Sequence, residues 1–251
     1  MIYITGDCHG EWDRFSMENF PEQKEMTRDD YVIVCGDFGI WDDSPRERWW
    51  LDWFEKKNFT LLFCDGNHEN FDRLAACEIV PFHGGKAHRI RDNIYHLMRG
   101  YVFDLGGRSF FVFGGARSHD IQDGILDIRD FSSVAKMHTA FRRRIASGQR
   151  LRINHESWWE EEMPSQSEMD RGLESLRALG NSVDFVVTHC GPHEIASQIL
   201  REYSEPDPLT QYFDRLVQSV AFTKWFFGHY HDNRNIMGKF VLLYEQIIRI
   251  L

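Results

Sequence analysis

Five short runs of β-branched and aromatic residues, each ending in a loop rich in Gly, Asp, Asn or His, constrain the fold of this 251-residue chain more than any other feature. Residues 2–5 lead into Gly6-Asp7, 31–35 into Gly36-Asp37 and 61–64 into Asp65-Gly66-Asn67, while 185–188 lead into His189 and 225–227 into Gly228-His229. Apolar runs of this length bounded by turn formers read as buried strands feeding loops.

Helical signals separate the strands. Ser44-Pro45-Arg46-Glu47 places Ser and Glu three apart, as in a capping box, with Pro at the first helical position. The same spacing recurs at Ser165 and Glu168, followed by Met169, Leu173, Leu176 and Leu179 at helical intervals and by Gly180 as a stop. A third helix is expected over residues 210–220. Residues 101–114, with Gly106-Gly107 at their centre, read as a hairpin, and residues 235–250 read similarly. Strand-helix units mixed with hairpins imply α/β architecture with mixed sheets. The absence of a repeat or low-complexity linker points to one domain over residues 1–251.

Composition narrows the function classes. With 42% hydrophobic and 27% charged residues the chain is an ordinary globular one. No apolar run approaches the roughly 20 residues that cross a bilayer, and the N-terminal residues enter motif sequence directly, so a cytoplasmic location without membrane association is expected. Five cysteines, none in a Cys-x-x-Cys pair, suggest neither a disulfide framework nor a zinc ribbon. A formal charge of -10 disfavours broad coating of nucleic acid.

The strand-end loops carry Asp7 and His9, Asp37, Asn67, His189, and His229 and His231. Carboxylate, imidazole and amide oxygen suit hard or borderline divalent metals. Strand ends along one sheet edge lie close in space, so these residues can converge on one pocket. Singly, each motif is an ordinary turn; their ordered occurrence gives them meaning.

The series Gly6-Asp7-Cys8-His9, Gly36-Asp37, Gly66-Asn67-His68-Glu69, Thr188-His189 and Gly228-His229-Tyr230-His231 resembles the calcineurin-like metallophosphoesterase family across nearly the whole chain. The resemblance implies an α/β fold, a four-layer α-β-β-α sandwich of two mixed sheets flanked by helices. It implies two divalent metal ions, usually manganese, iron or zinc. Asp7, His9 and His231 would hold one ion, Asn67, His189 and His229 the other, and Asp37 would bridge them. Two cations neutralise an anionic ester and activate a shared water, the expected nucleophile. By the same resemblance His68 is the general acid at the leaving group.

The second motif departs from the phosphoprotein phosphatases of the superfamily, which read Gly-Asp-x-x-Asp-Arg-Gly. Here it reads Gly36-Asp37-Phe38-Gly39-Ile40-Trp41-Asp42, without the supporting Asp or the phosphate-gripping Arg. A phosphodiester or nucleotide substrate is therefore favoured over phosphoprotein, and Asp42 or Asp72 is left to support His68. The alternatives are a protein or small-molecule phosphomonoesterase, a nuclease, and a non-catalytic scaffold of the same fold. Retention of all seven ligands and His68 argues against the scaffold.

Residues 114–120, Gly-Gly-Ala-Arg-Ser-His-Asp, and Ser157-Trp158-Trp159-Glu160 resemble an element of uncharacterised bacterial and phage members of the family. An insertion at about 121–149 separates the two parts and is a candidate lid. Arg142, Arg143, Arg144, Arg150 and Arg152 form a basic run there, read as a solvated face paired with Glu160, Glu161 and Glu162. Arg117 and His119, nearer the strand end, are candidate substrate contacts. Trp41 is a third and the tryptophan expected to be exposed, with Trp49 and Trp53 assigned to the core face of the following helix. Cys8, Cys35, Cys64 and Cys190 are read as core filling beside the site.

Overall fold

The computed structural model describes residues 1–199 and 205–251. In chain order its strands are β1 (Ile2–Thr5), β2 (Tyr31–Val34), β3 (Thr60–Phe63), β4 (Glu78–Phe82), β5 (Gly85–Arg91), β6 (Ile94–Leu97), β7 (Tyr101–Leu105) and β8 (Arg108–Phe113). They continue with β9 (Ile125–Leu126), β10 (Arg152–Ile153), β11 (Phe185–Thr188), β12 (Lys224–Phe227), β13 (Arg234–Ile236), β14 (Phe240–Leu242) and β15 (Ile248–Arg249). The α-helices are α1 (Pro45–Glu55), α2 (Phe71–Ala76), α3 (Val134–Ala146), α4 (Gln166–Ala178), α5 (His193–Ile199) and α6 (Pro208–Ser219).

Two mixed sheets result. One runs β15-β1-β2-β3-β6-β5-β4 and the other β13-β14-β12-β11-β8-β7. In the first, β1, β2, β3 and β6 are mutually parallel. In the second, β8, β11, β12 and β14 are parallel. The expected hairpins are present as β7–β8 and β13–β14, but β15 leaves its hairpin neighbours and pairs with β1 in the opposite sheet. The β4–β5–β6 meander gave no clear alternating signal in the sequence.

Side-chain alternation explains the four layers. Ile2 and Ile4 face Phe110, Val112, Phe185 and Val187 in a core between the sheets, while Tyr3, Val32 and Val34 face outward to Leu51 and Phe54 of α1. On the far side Phe111, Phe113, Val186 and Trp225 meet Met169 and Leu176 of α4 and Tyr212, Phe213 and Leu216 of α6. With the sheets so stacked, the C-terminal ends of β1, β2, β3, β8, β11 and β12 open on one rim.

Ser44 and Ser165 cap α1 and α4 as expected, and α4 has both hydrogen bonds of the capping box. At α1 only half the box forms, because Glu47 accepts instead from the Trp41 and Asp42 amides at 2.8 and 3.0 Å and pairs with Arg73. The buried stripe of α1 is Glu47, Leu51 and Phe54. That stripe turns Trp49 outward, 58% exposed, which corrects its assignment to the core. Trp53 is half-buried and lies under the Lys57 ammonium. The four cysteines beside the site are buried in the apolar clusters, and burial pushes their thiols upward, Cys8 to about 12.

The insertion folds around its own small cluster, Leu126, Met137, Leu151 and Ile153, with α3 above the parallel β9–β10 pair. Its unit therefore runs past residue 149. The expected pairing of the arginines with the 160–162 acids is not what forms. Arg152 pairs with Asp120 and Arg144 bonds to Gln149 and the Asp123 carbonyl, while Glu162 is buried and bound to Ser118. Arg142 and Arg143 are exposed on α3.

Candidate metal centre

The six strand ends place the sequence-derived residues on one rim. Asp7 Oδ2 lies 3.6 Å from His9 Nε2 and 3.3 Å from His231 Nε2. Asp37 Oδ2 lies 3.7 Å from His9 Nε2 and 3.3 Å from His189 Nε2. Asn67 Oδ1 sits 3.2 Å from His189 Nε2. Three overlapping groups thus bring donor atoms within 4.8 Å of one another: Asp7 with His9 and His231, His9 with Asp37 and His68, and Asp7 with Asp37 and His189. Asp37 belongs to two of the three and is 1% exposed.

Backbone geometry aims these side chains. His9, Asp37, His229 and His231 adopt φ between 48° and 71°, the left-handed region that non-glycine residues enter uncommonly. The preceding glycines allow close approach. A Cβ on Gly66 would stand 2.0 Å from Asp37 Oδ1, and one on Gly228 would stand 2.0 Å from Asp7 Oδ1. These contacts account for the Gly-Asn and Gly-His pairings of the motifs.

Hydrogen bonds then fix which atoms face inward. The His229 amide donates to Asp7 Oδ1 at 2.8 Å and the His68 amide to Asp37 Oδ1 at 2.8 Å. Asn67 Nδ2 donates to Ser118 Oγ, leaving Oδ1 toward His189. Arg14 clamps the loop after β1 through the Asp7 carbonyl at 2.6 Å, and Tyr244 stacks on His231 with ring centroids 4.7 Å apart.

Electrostatics follow from burial among opposite charges. Burial alone would raise Asp7 and Asp37, but the nearby histidines, His189 foremost, hold both well below the ordinary carboxylate range. Burial would lower His189, yet Asp37 and Asp7 together carry it up to about 10. The site thus favours positive charge between two ionised carboxylates. Carboxylate oxygens, imidazole nitrogens and an amide oxygen converging on one region fit divalent cations.

His68 stands at the edge of this cluster, half-buried, with its ring centroid 5.3 Å from that of His9. Burial lowers its pKa against the pull of Asp37. Neither carboxylate suggested as its support contacts it. Asp42 caps the Ser44 amide and Asp72 binds His155 Nδ1 and Trp159 Nε1, both set by the local turn and the docked insertion. The charges that reach His68 from outside the cluster are those of Arg152 and Asp120.

Arg117 and His119 line a cavity of about 410 Å³ beside His229, with Gln122, Asp207 and Tyr230. Trp41 is 37% exposed and its ring lies over Gly10, next to the loop that carries His9. Several site residues escaped the sequence reading. Glu69 accepts from the Phe38 amide at 2.5 Å and the Ile40 amide at 3.0 Å, bracing the loop after Asp37. Glu162 braces the loop after β8 through Ser118. Glu69 follows His68 within a quoted motif, so its position was visible although its task was not.

The arrangement is a candidate metal centre at the rim of a two-sheet sandwich. The calcineurin-like phosphoesterase family model matches residues 1–233, and the chain belongs to that family. Lariat debranching enzyme A of Xenopus laevis is 30% identical over 148 residues, which cover 52% of this chain and 26% of that protein. The chain thus spans about a quarter of the length of this curated relative. Among solved structures, phosphopantetheinyl hydrolase from Mycobacterium tuberculosis aligns with TM-score 0.43 and 16% identity, over 97% of this chain and 89% of that one. A candidate 5'-nucleotidase from Staphylococcus aureus aligns with TM-score 0.44 and 14% identity, over 97% and 48%. Among the described residues no helix is long and apolar enough to cross a membrane.

Proposed function

We propose that the chain is a phosphoric ester hydrolase that works with two divalent ions on a phosphodiester or nucleotide-type ester. The observation that carries the reading is the shared position of Asp37, buried within reach of both His9 and His189. Asp7, His9 and His231 would hold one ion, Asn67, His189 and His229 the other, and Asp37 both. Two such ions neutralise the ester's anionic oxygens and lower the pKa of a bound water.

The chain's own residues do the rest. The Asp7 and Asp37 carboxylates are locked by amides of His229 and His68, so they keep their orientation without substrate. His68 stands at the open edge of the cluster, where an imidazolium can give its proton to a departing oxygen. Arg152, held by Asp120, adds positive charge on the same side, where an ester's remaining anionic oxygen would lie. The diester preference rests on the second motif, which lacks the supporting Asp and the Arg of the phosphoprotein phosphatases and whose Asp42 faces solvent and accepts from the Ser44 amide.

The test is hydrolysis of bis-p-nitrophenyl phosphate and p-nitrophenyl phosphate after chelation and return of manganese, iron or zinc. The expected result is activity lost with chelator, restored by metal and greater on the diester, with manganese the most effective. Preference for the monoester would overturn the substrate class. No turnover of either ester with any metal would overturn the catalytic reading in favour of a scaffold.

A further inference from the structure

Two pairs of histidines meet nitrogen to nitrogen on this rim, and they do so differently. His9 and His231 approach at 2.9 Å with both Nε2 atoms also facing Asp7 Oδ2, so this pair points into the carboxylate cluster. His119 and His229 approach at 2.8 Å, Nε2 to Nε2, with rings tilted by 34° and centroids 4.9 Å apart. The second contact joins one imidazole to another imidazole. A nitrogen pair at that distance can share one hydrogen, with one ring donating and the other accepting according to tautomer.

We propose that His119 is a positioning residue for the second ion: its Nε2 accepts the Nε2–H of His229, fixing that ring's tautomer and orientation and leaving Nδ1 as the donor atom toward metal. This rests on the two-ion reading above. His189 supplies the parallel within the same site. Its Nδ1–H donates to the Cys35 carbonyl at 2.8 Å, which leaves Nε2 as the atom facing Asp37 and Asn67. A metal-binding histidine commonly gives its other ring N–H to such a partner, which fixes the ring and raises its basicity. For His229 the partner available is a histidine on a separate loop.

That loop is built to hold His119 still. The preceding Ser118 is 5% exposed and donates its amide to Glu162 Oε1 at 2.9 Å and its hydroxyl to Oε2 at 2.6 Å. Asn67 Nδ2 donates to the same hydroxyl at 3.3 Å. The Gln122 side-chain Nε2 donates to the His119 carbonyl, and the Gly115 backbone amide donates to the Asp65 carbonyl at 2.8 Å. One buried carboxylate thus sets a serine that orients Asn67 on one side and places His119 against His229 on the other. The loop after β8 acts as the outer support of the second ion's ligands, although it supplies no ligand itself.

The test is metal binding to the folded chain, with manganese or zinc as the probe, followed by calorimetry and chelator competition. In His119→Ala and His119→Phe the dissociation constant of the second ion is expected to rise by about 10- to 100-fold, the range typical of lost outer-sphere partners. The first ion's constant should be unchanged. His119→Gln, whose amide oxygen can accept the same bond, is expected to restore most of the affinity. A cobalt-substituted sample should show a changed visible spectrum for the alanine and phenylalanine variants and a near-parental one for the glutamine variant. Metal-free melting temperatures check that all three fold alike, and the phenylalanine variant keeps the result independent of the space left by alanine. Parental affinity for both ions in the alanine and phenylalanine variants would overturn the inference and leave the two-ion reading standing. Only one ion bound by the parent chain would overturn both.

Discussion

The Nδ1–H of His189 donates to the carbonyl oxygen of Cys35 across 2.8 Å, joining the end of β11 in one sheet to the end of β2 in the other. This bond makes the imidazole part of the sheet-to-sheet junction and turns its other nitrogen to Asp37 and Asn67. Replacing His189 with Gln removes that nitrogen from a fully buried position. Metal analysis of the purified variant is expected to show about one ion per chain in place of about two, with second-ion affinity reduced by more than about 100-fold, beyond what an outer partner contributes. Two tightly held ions in this variant would exclude His189 as a ligand.

A second histidine chain lies behind the site. His88 and His96 stack with an interplanar angle of 6° and Nδ1 atoms 2.9 Å apart, and His96 Nε2 bonds Asp65, whose other oxygen takes the Arg99 Nε–H at 2.9 Å. Burial first, and the neighbouring His96 second, lower His88 to about 4. Its unfolded value is about 6.5, so the unfolded chain binds this proton more readily than the folded one. The stability it contributes is complete above about pH 6.5 and is lost as pH falls toward about 4. Melting temperatures of the metal-free chain should therefore fall over that window, and those of His88→Gln should fall less. Parallel profiles for the two proteins would refute the assignment.

The sequence made the site more legible than its supports. Asp7, Asp37 and Asn67 were readable because each must follow a strand directly and each needs a glycine before it for close approach. Layered α/β architecture with mixed sheets was readable from the same runs, since apolar stretches of four or five residues need layers on both faces, whereas the two-sheet sandwich came from the family resemblance. What escaped depends on pairing over long sequence distances. Glu162 and Ser118 are 44 residues apart, and the insertion between them hides their relation. Asp65 and Arg99 are 34 apart and look like a turn residue and a surface cation until the fold buries both. The outward face of Trp49 was misjudged because periodicity alone favoured the tryptophans, whereas a buried Glu47 bound to loop amides chose the inner stripe.

Glu69 shows how strongly such a support can matter. Its carboxylate is fully buried and accepts from three consecutive amides, those of Phe38, Gly39 and Ile40, which hold the turn beyond Asp37. Glutamine at this position offers one acceptor oxygen and turns an NH₂ toward amide donors. A buried donor left without a partner costs about 1 to 3 kcal/mol. The Glu69→Gln chain is expected to lose about 2 kcal/mol, or about 4 to 8 °C in melting temperature for a domain of this size. An unchanged melting temperature would show that the turn holds without the carboxylate.

On the proposed two-ion reading, His68 would separate the metals' work from the proton's. Its backbone amide binds Asp37, and its ring lies beside His9 and Asp37, where the proposed role would have it serve the leaving group. A positioned general acid contributes about 10² to 10⁴-fold when the departing oxygen is a poor leaving group and little when that oxygen leaves readily as a nitrophenolate. His68→Ala should therefore bind metal as the parent does and keep turnover of bis-p-nitrophenyl phosphate within a few-fold. Turnover of an alkyl phosphodiester should fall by at least about 100-fold, within the span expected of general acid catalysis. Equal losses on the activated and unactivated esters would assign His68 to holding metal or substrate, because only proton donation makes its importance depend on the basicity of the oxygen that leaves.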